Sequence, residues 1–91
     1  MLSSKTKRRL VVMMANKSLA DELEQKMFSP GSASSKLSRC LIVALASKSV
    51  AAEVAAALVS PAPLSAKAIR QIRVCMARKQ EADEVIAALQ S

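Results

Sequence analysis

A unit of 31 residues, spoken three times without a gap, limits what this chain can fold into more than any other feature of it. Ser3, Lys5, Arg8, Val12, Ala15, Lys17, Ala20 and Glu22 return as Ser34, Lys36, Arg39, Val43, Ala46, Lys48, Ala51 and Glu53. They return again as Ser65, Lys67, Arg70, Val74, Ala77, Lys79, Ala82 and Glu84. A fixed period of this length marks architectures in which each unit buries its apolar face against its neighbours. The chain reads as a single domain of three repeats, about 2–32, 33–63 and 64–91.

Each unit reads as a helical hairpin. In the first, Ser3 is placed to cap a helix over about Ser4 to Ala15, its hydroxyl accepting from backbone N–H groups that lack helical partners. Thr6, Leu10, Met13 and Met14 follow the i, i+4, i+7, i+8 spacing of one helical face. Asn16-Lys17-Ser18 breaks the pattern, and Ser18 followed by Asp21 and Glu22 predicts the start of a second helix running to about Phe28. Leu19, Leu23 and Met27 are its inward face, and Ser29-Pro30-Gly31-Ser32 ends it. The second unit predicts a helix over about Ser35 to Ala46, with Leu37, Leu41, Ala44 and Leu45 as its stripe, then a second helix with Val50, Val54 and Leu58 inward. The third predicts a helix over about Ala66 to Ala77 with Ile69, Ile72, Cys75 and Met76 inward, then a last helix carrying Val85, Ile86 and Leu89.

The fold class is therefore all-α, six short helices in three tandem hairpins. Two arrangements satisfy the pattern: a short open α-solenoid, which is preferred, and a closed bundle of three hairpins about a pseudo-threefold axis. Unit two favours stacking, since Cys40, Ala52, Ala55, Ala56 and Ala57 stand where unit one has Arg9, Asp21, Glu24, Gln25 and Lys26. A sequestered middle repeat is apolar where terminal repeats are polar. On this reading Asp in place of Val43 or Leu45 unfolds more of the protein than Asp in place of Leu89.

Composition narrows function mostly by exclusion. Among 91 residues there is no histidine and one aromatic, Phe28. No general base of the usual kind is present, and Gly31 alone makes no phosphate-cradling loop. No catalytic residue, cofactor or metal site is expected, and the protein reads as a non-enzyme. Cys40 and Cys75 occupy non-equivalent repeat positions and read as small buried hydrophobes in a reducing compartment. Lys17, Lys48, Glu53 and Arg73 interrupt every apolar run, so no membrane span is expected. The start, KTKRR followed by LVVMMA, mimics a targeting signal. Its counterparts recur inside the chain, so it reads as fold, without an export signal.

Charge is the remaining signal. The formal net charge is +7, every carboxylate falls on the second helix of a unit, and most Lys and Arg fall on the first helix or the turn. Helix dipoles account for part of this, with Glu22, Glu53 and Glu84 near positive helix ends and Lys17, Lys48 and Lys79 just past negative ones. Beyond that, Lys5 and Arg8, Lys36 and Arg39, and Lys67 and Arg70 predict a basic ladder along one edge of the stack, reinforced by Lys7, Arg9 and Arg73. Such a stripe suits phosphates or an acidic protein surface. Met1, Leu2, Phe28 and Val59 are candidate apolar docking residues.

The unit pattern L-S-x-K-x-x-R-x-L-x-V-x-M-A-x-K-x-x-A-D-E-L resembles short helical modules in structural proteins of tailed bacteriophages, across all three units, although unit two has Ala52 in place of the acid. The resemblance implies a small virion component bound to a capsid, neck or tail, and no catalytic residues. Two functions are thus expected of different class. One is a structural protein docking on a larger assembly or on copies of itself, in a virion or the cytoplasm. The other is a small basic protein that holds nucleic acid by its phosphate backbone without reading bases.

Overall fold

The structure, a computed structural model, describes residues 2–91; Met1, a candidate docking residue, lies outside the described residues. Six α-helices follow in order: α1 Ser4–Met14, α2 Lys17–Phe28, α3 Ser35–Leu45, α4 Lys48–Val59, α5 Ala66–Met76 and α6 Lys79–Gln90. Among the described residues no strand occurs and no helix is long and apolar enough to cross a membrane.

The first helix of each unit begins where the sequence predicts. Ser3, Ser34 and Ser65 are extended N-caps whose hydroxyls accept from Thr6, Leu37 and Ala68 N–H. Each of these helices ends on an alanine, Ala15, Ala46 or Ala77, held in the left-handed region at φ 55°, 54° and 59°. The following residue is already the extended N-cap of the next helix, so the hairpin turn is two residues long. That geometry corrects one expectation. Helical conformation resumes at Lys17, and Asn16 rather than Ser18 is the cap, accepting from Leu19 N–H at 3.1 Å. Ser18 instead donates its hydroxyl to Asn16 Oδ1.

An alanine in the left-handed region carries strain of about 1–2 kcal/mol that glycine lacks, partly offset by glycine's greater unfolded-state entropy. Ala46→Gly is therefore expected to raise the melting temperature by about 4 °C, roughly 0.5–1 kcal/mol. Thermal melting monitored by circular dichroism checks this, and an unchanged or lower midpoint would show that the turn is not strained.

The hairpins close on themselves. Each helix touches every other except one: α1 and α4, α2 and α5, and α3 and α6 do not meet. Contacts between α1 and α6 join the last unit to the first as α2–α3 and α4–α5 join consecutive units. This is the pattern of a trigonal antiprism, with α1, α3 and α5 as one triangular layer and α2, α4 and α6 as the other. The open solenoid is not what forms, and the closed alternative is. The extents, 28 × 25 × 24 Å, are those of a near-isotropic body. Short helices with apolar residues on more than one face leave large surfaces bare at both ends of an open stack. Closure buries both.

Around the pseudo-threefold axis, equivalent positions fill equivalent places. Leu10, Leu41 and Ile72 line one central void together with Leu45, Met76, Met27 and Leu89, and the register mates Met14 and Leu58 are buried as well. The void is about 10 Å³, room for about one water at most, so the axis is packed core. Two inward assignments shift. Ala68, not Ile69, is the fully buried residue of α5, in the register of Thr6 and Leu37. Val43 is not in the core at all, being 80% exposed. Because closure flanks every unit on both sides, the middle unit is not more sequestered than the last: Leu45 and Leu89 are equally buried.

Candidate docking face

Three symmetry-related clamps fix how the first helices are presented. Glu22 accepts from Ser34 N–H at 3.1 Å and its hydroxyl at 3.0 Å, and Glu53 accepts from the same two groups of Ser65 at 2.5 and 3.0 Å. Glu84 reaches across the closing seam and accepts from Ser3 N–H at 2.6 Å and from its hydroxyl at 3.2 Å. Each carboxylate thus satisfies a donor at the start of the next unit's helix, where negative charge is favoured. The sequence reading had these acids serving their own helices. Their recurrence 12 residues before a cap serine, in Glu22/Ser34 and Glu53/Ser65, was the signal for the clamp.

A second set of contacts knits the first-helix layer. Arg9 Nε donates to the Met76 carbonyl at 2.7 Å, Cys40 Sγ to that of Met14 at 3.4 Å, and Gln71 Nε2 to that of Leu45 at 2.7 Å. The three donors share one register position and the three carbonyls another. These carbonyls lie in last helical turns, where intrahelical partners run out, so unlike side chains do one job.

What the layer leaves free is a basic, partly apolar surface. On an ideal helix Lys5, Arg8 and Val12 lie on the face opposite Leu10, and Lys36, Arg39 and Val43, and Lys67, Arg70 and Val74, repeat the arrangement. All nine side chains are exposed, the valines at 66%, 80% and 71%. Among the described residues none of the six cations has an ion-pair or side-chain hydrogen-bond partner. The seven carboxylates all stand on α2, α4 and α6, so the first-helix layer is cationic throughout. The expected single-edge ladder is corrected to three arms about the threefold axis on one layer. Closure forces this, since no edge runs along a ring.

The other candidates separate. Arg73 forms an ion pair with Asp83, donating at 3.0 and 2.9 Å, and Lys79 joins the same carboxylate at 3.1 Å. Lys7 meets Glu24 at 3.4 Å, and Arg9 is half-buried. Phe28 and Val59 are exposed at equivalent ends of α2 and α4. Leu2 is buried, which removes it as a docking residue; it shares its register with Leu64, and both tuck under the start of a first helix. The valines of the stripes were missed, although their spacing to Lys and Arg places them on the cationic face. Cys40 and Cys75 are free and half-buried rather than fully enclosed, and burial pushes both thiols up. Among the described residues no group of His, Cys, Asp or Glu side chains could hold a metal ion.

The closing clamp carries a pH dependence. The Ser3 N–H, with hydroxyls of Thr6 and Ser3, holds the Glu84 carboxyl below its ordinary value, against a smaller upward push from burial. Asp83 is held down chiefly by its Arg73 hydrogen bond. A folded-state value below the unfolded one means the stabilisation is complete above the unfolded carboxylate range of about 4 and is lost as pH falls through the folded value. The melting temperature should be level from neutrality to about pH 5 and fall below about pH 4. Glu84→Gln should lower it at pH 7 and flatten the acid fall; an unaltered acid profile would show that the seam is not held by this carboxylate.

No protein-family model matches the chain, and neither does any curated protein or solved structure. The fold and face define an all-α ring of three helical hairpins with one cationic layer.

Proposed function

We propose that the protein is a non-enzymatic interaction module that docks by its first-helix layer on an acidic, partly apolar surface of a larger assembly. The three Lys–Arg–Val arms carry this reading. Exposed valine beside unpaired cations suits a protein partner, because the apolar contact adds burial that phosphate does not offer. The resemblance of the repeat to tailed-bacteriophage modules makes a virion capsid, neck or tail the assembly we favour. The six unpaired cations also support a second reading, attachment to nucleic-acid backbone.

The two readings part in a binding titration of a labelled poly-glutamate peptide against a labelled DNA duplex across a salt series. Docking on protein predicts peptide binding that weakens stepwise as Lys5/Arg8, Lys36/Arg39 and Lys67/Arg70 are changed pair by pair to Gln. Changing Val12, Val43 and Val74 to Ser should weaken it further. Backbone attachment predicts tighter duplex binding with a log–log salt slope of about 0.9 per phosphate neutralised and no effect of the valines. Absence of binding to either probe at low salt would sink both.

A further inference from the structure

The ring has three seams, and the one that closes it is built differently. At the two covalently continuous seams, the first turn of the neighbouring second helix contributes Leu19 or Val50 as buried apolar residues. The closing seam places Glu81 in that register, 5% exposed. Its Oε1 is shut off from solvent without a hydrogen-bond partner in the protein, and Glu81 forms no ion pair among the described residues. The cap position, Asn16 or Ser47 elsewhere, is Arg78, which makes no side-chain cap bond. Arg9 replaces Cys40 and Gln71. The fold does not require these changes, since two seams close without them, and a buried carboxylate without a partner is a standing cost.

These residues line one cleft of about 170 Å³, between α1 and the α5–α6 turn, walled by Lys5, Arg8, Arg9, Val12, Arg78 and Glu81. Four cations border it and one buried acceptor lies in its wall. Of the four, Arg9 alone has a protein partner, the Met76 carbonyl. We infer that this seam cleft is a binding site for a small phosphomonoester bearing an ammonium group. The ammonium would satisfy Glu81, and the dianionic phosphate would meet Lys5, Arg8 and Arg78, where guanidinium offers paired donors to phosphate oxygens. A lone anion would face the Glu81 carboxylate, and a lone ammonium would face four cations. The ligand must carry both charges. Lys5 and Arg8 are shared with the docking face, but the inference does not rest on that reading.

Isothermal titration of the full chain with phosphoethanolamine, inorganic phosphate and ethanolamine tests it. One equivalent of phosphoethanolamine should bind, about tenfold or more tighter than phosphate, with no binding of ethanolamine. Glu81→Leu, which installs the residue of the sister seam, should fold with an equal or higher melting temperature and lose the preference over phosphate. Glu81→Gln, which keeps an acceptor without charge, should fall between. Equal affinity for phosphate and phosphoethanolamine, a preference that survives Glu81→Leu, three equivalents per chain, or no binding would each overturn the proposal. Glu81→Leu leaves every arm cation in place, so poly-glutamate binding should be unchanged by it. Lys36→Gln with Arg39→Gln weakens the peptide and spares the cleft, so the two readings fail separately.

Discussion

Leu89→Asp is expected to unfold the protein as completely as Leu45→Asp, while Val43→Asp melts within a few degrees of the parent. Leu45 and Leu89 are each 1% exposed, one in the first-helix layer and one in the second. An unpaired carboxylate in either place costs several kcal/mol beyond the lost apolar burial. A small domain has only about 5–15 kcal/mol to lose, and this one, with a core of Ala, Val, Leu, Ile and Met, has little area per side chain to draw on. Val43 is 80% exposed and sits beside Lys36 and Arg39, where an added carboxylate meets opposite charge; surface changes of this kind stay within about 0.5 kcal/mol. Far-ultraviolet circular dichroism with thermal melts checks all three variants. Closure is what makes the first two equal. In an open stack Leu89 would lie in a terminal unit with one neighbour and tolerate the change better, so a folded Leu89→Asp beside an unfolded Leu45→Asp would argue against the ring.

The sequence carried the helices because each rests on local chemistry: Ser3, Ser34 and Ser65 at caps, leucines at helical spacing, proline in the connectors. It did not carry closure. Solenoid and ring place the same residues inward within a unit and differ only in whether α6 meets α1, a contact between residues such as Glu84 and Ser3 that no short-range pattern records. The repeat itself held the missing clue in its acids. Glu22 and Glu53 each bind a serine of the next unit, and their counterpart Glu84 binds Ser3 of the first. The middle unit's alanines misled in turn, because Ala52 and Ala56 are exposed, and their apolar character does not come from sequestration. For the candidate face, charge was legible and geometry was not. The six arm cations were found from periodicity, yet Arg9 and Arg73, identical in charge, are spent on a carbonyl and on Asp83. Val43 was read as sequestered, although it is 80% exposed, and periodicity alone gave Glu81 no role. Its strangeness shows only when it is set beside Leu19 and Val50.

Joining Ser91 to Met1 through a two-residue linker is expected to stabilise the protein strongly. Three units of 31 residues occupy 93 register positions and the chain has 91. The register therefore leaves two places, equivalent to Pro30-Gly31 and Pro61-Ala62, and a Pro-Gly linker fills them. No distortion of the ring is required, because the Glu84–Ser3 clamp already holds the two ends in the geometry that Glu22–Ser34 and Glu53–Ser65 show across covalent connectors. Cyclisation then acts mainly on the unfolded chain, removing conformations that the native state does not use. For a loop near 100 residues the chain-entropy estimate is about 4–5 kcal/mol as an upper bound, or a rise in melting temperature of at most roughly 16–40 °C. The matched control is a circular permutant with the same Pro-Gly linker and new termini between Ser60 and Pro61, which should melt near the parent, since it exchanges one seam for another. Linkers of one or five residues should gain less, the first by strain and the second by slack in the closed loop. If the ends stood apart as in an open stack, the two-residue linker would tear the terminal units from their places. Cyclisation would then lower the melting temperature, and the permutant would lose its helical signal.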